Sequence, residues 1–152
     1  MAKITLKPIT TENWGECVRL TVRDDQKRFV ASNVYSLAES AFEPESHLVP
    51  LGVYDGETMV GFVMYGRPHF EGRDLWFIFR LMVDLTHQGK GYGRAAMQEV
   101  IKIIIAQPDC DEIYVSYEPE NSVATKLYKS LGFIDEGKMI EDEVLGRLPI
   151  KH

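Results

Sequence analysis

Two cysteines in 152 residues, no surplus of basic side chains and no long apolar run set the first limits on this chain. Cys17 falls inside an apolar helical pattern and Cys110 in the polar turn Pro108, Asp109, Cys110, Asp111, and neither has metal-ligand spacing. Both read as thiols, no metal is expected, and unmodified thiols suit a reducing compartment. The greasiest stretches, Leu75 to Val83 and Val100 to Ala106, are interrupted or too short to span a bilayer, and the N-terminus MAKITLKPIT lacks the apolar core of a secretion signal. A cytoplasmic protein with no membrane partner is expected. Lys and Arg number 17 against 23 Asp and Glu, and the resulting net charge of −6 repels a phosphate backbone, which argues against nucleic acid as a partner. A cationic substrate suits that sign better, although on a small domain the same charge also serves plain solubility.

No repeat, low-complexity tract or linker is visible, and with 45% hydrophobic and 26% charged residues the chain can bury one sizeable core. Residues 1–152 therefore read as one domain. Ile4 and Leu6 alternate with polar neighbours up to Pro8, as in a strand, and Thr11 offers an N-cap for a helix over Glu12 to Leu20 with Trp14, Cys17 and Val18 on one face. A second helical stretch follows, in which Phe29 and Val30, then Val34, Leu37, Ala38 and Ala41, fit the helical period. Ser32 or Asn33 can restart and cap it, and Pro44 ends it. Val49 to Tyr54 and Met59 to Arg67 flank Asp55, Gly56 and Glu57, a hairpin signal. After a polar loop, LWFIFRLMV is apolar on nearly every residue, as expected of a central strand covered on both faces. Gly91 to Ala106 reads as a helix, Glu112 to Tyr117 as a second central strand, Asn121 to Leu131 as an amphipathic helix closed by Gly132, and Phe133 to Ile140 with Glu143 to Leu148 as a final strand pair.

The chemistry is concentrated in Gln88, Gly89, Lys90, Gly91, Tyr92, Gly93 and Arg94, between a buried strand and a helix. Three glycines spaced by two let the backbone turn sharply and leave its N–H groups unshielded, while the helix N-terminus adds positive potential. Such a loop can grip a pyrophosphate. A Walker loop would need Lys followed by Ser or Thr after the last Gly, and here Arg94 and Ala95 follow Gly93. A dinucleotide fingerprint would sit near the first strand with a different glycine spacing. Taken alone, the loop could still be a glycine-rich connector with no ligand.

The loop resembles the Gln/Arg-x-x-Gly-x-Gly/Ala signature of the GCN5-related N-acetyltransferase superfamily. Asn121 to Phe133, reading NSVATKLYKSLGF, is similar to that family's Asn-x-x-Ala-x-x-Leu-Tyr-x-x-x-Gly-Phe helix. The resemblance covers the chain in element order, loosely over the first fifty residues. It implies an α/β acyl-coenzyme A N-acyltransferase fold: a mixed, mostly antiparallel sheet, flanked by helices, whose central parallel strands splay apart. It also implies acetyl-coenzyme A as co-substrate, held by the backbone of the loop from Gln88 to Arg94, by Met82 and Val83 along the pantetheine arm, and by Asn121 and Ala124 on the following helix. Tyr128 matches the family's tyrosine that protonates the departing thiolate, and a phenol with an ordinary pKa of about 10 suits that task.

The base that takes the proton of the amine is left open, with Glu118 the first candidate and Asp84, Glu39 and His87 after it. In this fold the first helical pair and the loop between the last two strands wall the acceptor cleft. Those carry Glu39, Glu43, Glu45 and the run Glu141, Asp142, Glu143, an acidic mouth for a polyamine, with Tyr35 and Phe42 against its methylenes. Gln26 to Phe42 also resembles the matching region of small bacterial spermine/spermidine acetyltransferases, which often form homodimers. Direct attack of the amine is expected, because neither cysteine falls near the thioester position. Peptide N-termini, amino-sugar antibiotics, or a non-catalytic coenzyme A sensor are the alternatives.

Overall fold

The computed structural model of the protein describes residues 2–151. In chain order its elements are β1 (Thr5–Pro8), α1 (Trp14–Arg19), α2 (Asn33–Phe42), β2 (Val49–Asp55) and β3 (Thr58–Gly66). A small hairpin of β4 (His69–Phe70) and β5 (Arg73–Asp74) follows. The chain then continues through β6 (Trp76–Val83), α3 (Tyr92–Ile105), β7 (Glu112–Tyr117), α4 (Ser122–Ser130), β8 (Ile134–Ile140) and β9 (Glu143–Pro149). Apart from the β4–β5 hairpin, this is the order that the hydrophobic pattern predicts. One sheet holds seven of the strands in the order β1-β2-β3-β6-β7-β9-β8, and β6 and β7 form its parallel pair. α3 buries Ala96, Met97, Val100 and Ile104 against one face together with Ile78, Ile113 and Val115, while Cys17 of α1 and Leu37 of α2 cover Phe62, Met64 and Met82 on the other.

Three local expectations change. α1 begins at Trp14, and Asn13 rather than Thr11 organises its start: the Asn13 amide accepts from the Thr10 N–H at 2.7 Å and donates to the Pro8 carbonyl at 3.1 Å. Asn has both a donor and an acceptor to spend there, and Thr11 has no such reach. Phe29 and Val30 lie outside any helix, since only a short 3-10 turn at Asp24–Gln26 precedes α2. Ser32 does cap α2, accepting from the Tyr35 N–H at 3.1 Å. The helix nevertheless turns a polar face inward. Asn33 and Ser36 are buried, Val34 is 59% exposed and Phe42 83% exposed. Asn33 is drawn in because its amide donates to the Cys17 carbonyl at the end of α1, at 2.8 Å, adding a second bond to the one that carbonyl accepts from the Leu20 N–H at 3.2 Å.

β6 is not a straight strand. Met64 pairs with Arg80 and Tyr65 with Ile78, leaving Phe79 as an extra residue. Before this bulge Trp76 and Ile78 face α3; after it Leu81 and Val83 do, and Met82 faces α1 and α2. The inserted residue thus places Phe79 and Arg80 together on the α2 side.

Candidate active site

β6 and β7 are paired only at Trp76–Ile113, Phe77–Tyr114 and Ile78–Val115. Beyond these the strands part, and a cleft of about 1280 Å³ opens between them. Most of the residues nominated from sequence converge on it. Gln88, Gly89, Gly91, Tyr92, Gly93 and Arg94 line one end, Asn121, Ala124 and Tyr128 one wall, and Tyr35, Glu39 and Glu141 the other end. Seven do not follow. Lys90, Phe42, Glu43, Glu45 and Asp142 are exposed and outside the lining, Asp84 is half-buried and outside it, and Glu118 stands half-buried outside it with one carboxylate oxygen shielded from solvent and unpartnered among the described residues.

The loop is shaped for close approach. Gly89 and Gly91 have φ of +79° and +85°, values that other residues adopt only with strain, and Gly91 is the N-cap of α3. A Cβ at Gly93 would project between Val83 and Leu127, 3.8 and 3.9 Å from their methyls, into the throat of the cleft. The Gln88 side chain is already committed: it donates to the Val83 carbonyl at 3.0 Å and to Gln26 at 2.9 Å, and accepts from Arg23 at 2.7 Å. Its part toward a ligand is left to its backbone. Tyr92 anchors the loop to the β2–β3 turn through a short hydrogen bond to Asp55.

Backbone direction corrects one expectation. The Asp84 N–H donates to the Val60 carbonyl, and Met82 stands opposite Phe62, so the polar groups of Met82 and Asp84 are turned to β3. By alternation Leu81 and Val83 present theirs to the gap. Leu81, which sequence reasoning missed because β6 shows no alternation, lines the cleft beside Met82 and Val83.

Charge is sorted along the cleft. Each basic residue of the α1–α2 segment 23–28 that lines the cleft has its own acid: Arg23 with Asp25, Lys27 with Asp24, and Arg28 with Glu120 at 2.7 Å. Glu39 is held by Arg80 at 3.0 Å, so it is not the spare charge that the sequence suggests. Among the described residues Arg94 meets no carboxylate and bonds only Ser130, whereas Glu141 and Glu143 have no basic partner. The loop end is left positive and the acceptor end negative.

Tyr128 is buried, with its ring between Tyr117 and Phe133 at centroid distances of 5.4 and 5.8 Å. Burial, then the Glu143 charge and Tyr117, push its pKa well above the phenol range, so it carries its proton at neutral pH.

The model of the Acetyltransferase (GNAT) family matches residues 9–133. The chain belongs to that family. It is 30% identical over 143 residues to the spermine/spermidine N(1)-acetyltransferase of Bacillus subtilis strain 168, covering 90% of this chain and 91% of the relative. In shape it resembles the spermidine N-acetyltransferase of Vibrio cholerae solved with coenzyme A and spermine, with TM-score 0.70, 18% identity, and 95% and 92% of the two chains covered. An aminoglycoside acetyltransferase in complex with coenzyme A superposes with TM-score 0.78 at 14% identity, covering 97% and 95%. The two structural likenesses establish the GNAT fold alone. Within it, Asn121 caps α4 by accepting from the Ala124 N–H at 3.2 Å, and Gly132 at φ +101° lets the Phe133 N–H return to the Tyr128 carbonyl at 3.0 Å. Those two caps fix the turn of helix that carries Tyr128.

Proposed function

We propose that this N-acetyltransferase transfers the acetyl group of acetyl-coenzyme A directly to a primary amine of a polyamine such as spermidine or spermine. The observation that carries the acceptor class is the pair Glu141 and Glu143, carboxylates without basic partners among the described residues, at the end of a cleft floored by Phe77, Phe79 and Ile140. Ammonium groups separated by methylenes complement carboxylates beside an apolar floor. The full-length match to the Bacillus enzyme supports the same class. The donor would lie along Leu81 and Val83 with its pyrophosphate on the amides of the loop from Gln88 to Arg94, and supplies the activated acetyl carbon. Tyr128 is the acid for the departing sulfur.

Direct transfer is favoured because no thiol is available to take the acetyl group. Cys17 is fully buried with its pKa pushed up to about 12 by burial and by Glu16, and Cys110 is buried with its thiol raised by burial and by Asp109 and Asp111. Neither lines the cleft. Buried, reduced thiols also suit a cytoplasmic location.

A panel of polyamines, monoamines, peptide N-termini and aminoglycosides, read by release of coenzyme A thiol, tests the assignment. Spermidine or spermine should be the best acceptors, with KM rising as salt shrinks the Debye length from about 10 Å at 0.1 M to about 3 Å at 1 M. Glu141→Gln should raise that KM by about fivefold, the order expected for one rim charge, and spare KM for acetyl-coenzyme A. A faster peptide or aminoglycoside acceptor transfers the assignment to that class, and no thiol release with any amine leaves the coenzyme A sensor.

A further inference from the structure

Of the four base candidates read from the sequence, Glu118 lies outside the cleft and Glu39 is engaged by Arg80. Asp84 accepts from the Thr21 N–H at 2.9 Å and the Thr86 hydroxyl at 2.6 Å. Burial alone would raise its pKa, but those bonds, a further one from the Thr86 N–H and the nearby His87 outweigh it and hold the carboxyl below its usual range. His87 sits edge-on to Tyr92 at the loop end, away from the acceptor side.

Glu143 has none of these engagements. It is the first residue of β9, paired with Ile140 across the hairpin, and its neighbour Val144 stands opposite Tyr117 at the end of β7. That is the height at which β6 and β7 have already separated. Glu143 is half-buried, lines the cleft with Tyr128, and its carboxylate has no hydrogen bond or ion pair to any described residue. The ionisable groups around it are the phenols of Tyr117 on β7 and Tyr128 on α4, with Glu141 and Asp142 in its own hairpin.

We propose that Glu143 is the general base of the transfer, taking the proton that the acceptor ammonium must lose before its nitrogen can attack. This rests on the amine-acetyltransferase reading above. Glu143 accepts one proton from the ammonium and later releases it to water. The neutral nitrogen bonds the acetyl carbon as the carbon–sulfur bond breaks, Tyr128 gives its proton to the leaving sulfur, and the nitrogen returns a proton to Tyr128. One amide, one thiol and one proton result. Glu143 on β9 and Tyr128 on α4 line the same cleft, which lets a base and an acid serve one reacting bond.

Glu143→Gln keeps the shape and removes the basicity. With the best acceptor of the panel, kcat at about pH 7 should fall about 10²-fold, the lower range for general base catalysis, at unchanged KM for acetyl-coenzyme A and unchanged thermal midpoint. The deficit should shrink toward about pH 10, where the amine arrives already neutral. Glu143→Asp should recover part of the rate. The Tyr128 phenol, followed by tyrosinate absorbance against Tyr128→Phe, should titrate lower in Glu143→Gln because a neighbouring anion is gone. An unchanged kcat with raised acceptor KM makes Glu143 a docking charge and overturns the proposal, as does a deficit that does not shrink at high pH. A wild-type enzyme that acetylates no amine overturns the parent reading with it.

Discussion

Gly93→Val should cost the protein about 10³-fold or more of its affinity for acetyl-coenzyme A while the fold persists. Gly93 is the second residue of α3 and has no positive φ, so any L residue fits its backbone, and a β-branched residue there loses nothing in helix propensity relative to glycine. Its Cβ would stand at ordinary contact distance from Val83 and Leu127, so Gly93→Ala should bind almost normally. The γ-methyls of valine must go further, into the throat where the proposed donor site would seat the pyrophosphate on the loop amides. Losing two charged hydrogen bonds of ~2 kcal/mol each is ~4 kcal/mol, which is about 10³-fold. Calorimetric titration of the three proteins checks this, and wild-type affinity in Gly93→Val would remove the loop from the donor site. Gly91→Val is the poorer experiment. At φ +85° it strains the N-cap whether or not a ligand is present, so lost binding would not separate a blocked cradle from a displaced one.

Tyr128→Phe should lower kcat by roughly 10²- to 10⁴-fold with little change in donor affinity, the range for a lost general acid. The ring stays wedged between Tyr117 and Phe133, and among the described residues the hydroxyl has no hydrogen-bond partner to leave unsatisfied. The fold therefore has no reason to respond. The phenol is protonated well past neutrality, so the wild-type rate should show no loss of acid function anywhere in the physiological range. Normal turnover in Tyr128→Phe would assign protonation of the thiolate to water.

What the sequence disclosed and what it hid divide by range along the chain. The loop from Gln88 to Arg94, the Asn121 cap and the Gly132 stop are local devices, and each could be read from a few consecutive residues. The bulge at Phe79 could not, because a strand that is apolar on nearly every residue has no alternation in which a slip would show. The Glu39–Arg80 pair depends on that bulge and joins residues 41 apart, so the acidic mouth looked richer in free charge than it is. The inward turn of α2 was hidden for a similar reason: a helix with small residues on several sides is oriented by one buried amide, Asn33, and its partner is the carbonyl of another helix.

Three residue pairs are all that lace β6 to β7, and the rest of that border is open. A sheet laced at one end behaves as two leaves on a spine, β1-β2-β3-β6 on one side and β7-β9-β8 on the other. Breathing should concentrate at the open border, so the amides of Leu81 and Val83 should exchange with deuterium well before that of Met82, which is turned to β3. A donor seated between the leaves shields both borders together and stabilises only the closed form. Resistance to proteolysis should then follow the supply of acetyl-coenzyme A, and a variant such as Gly93→Val would be short-lived in the cell even though its fold is sound.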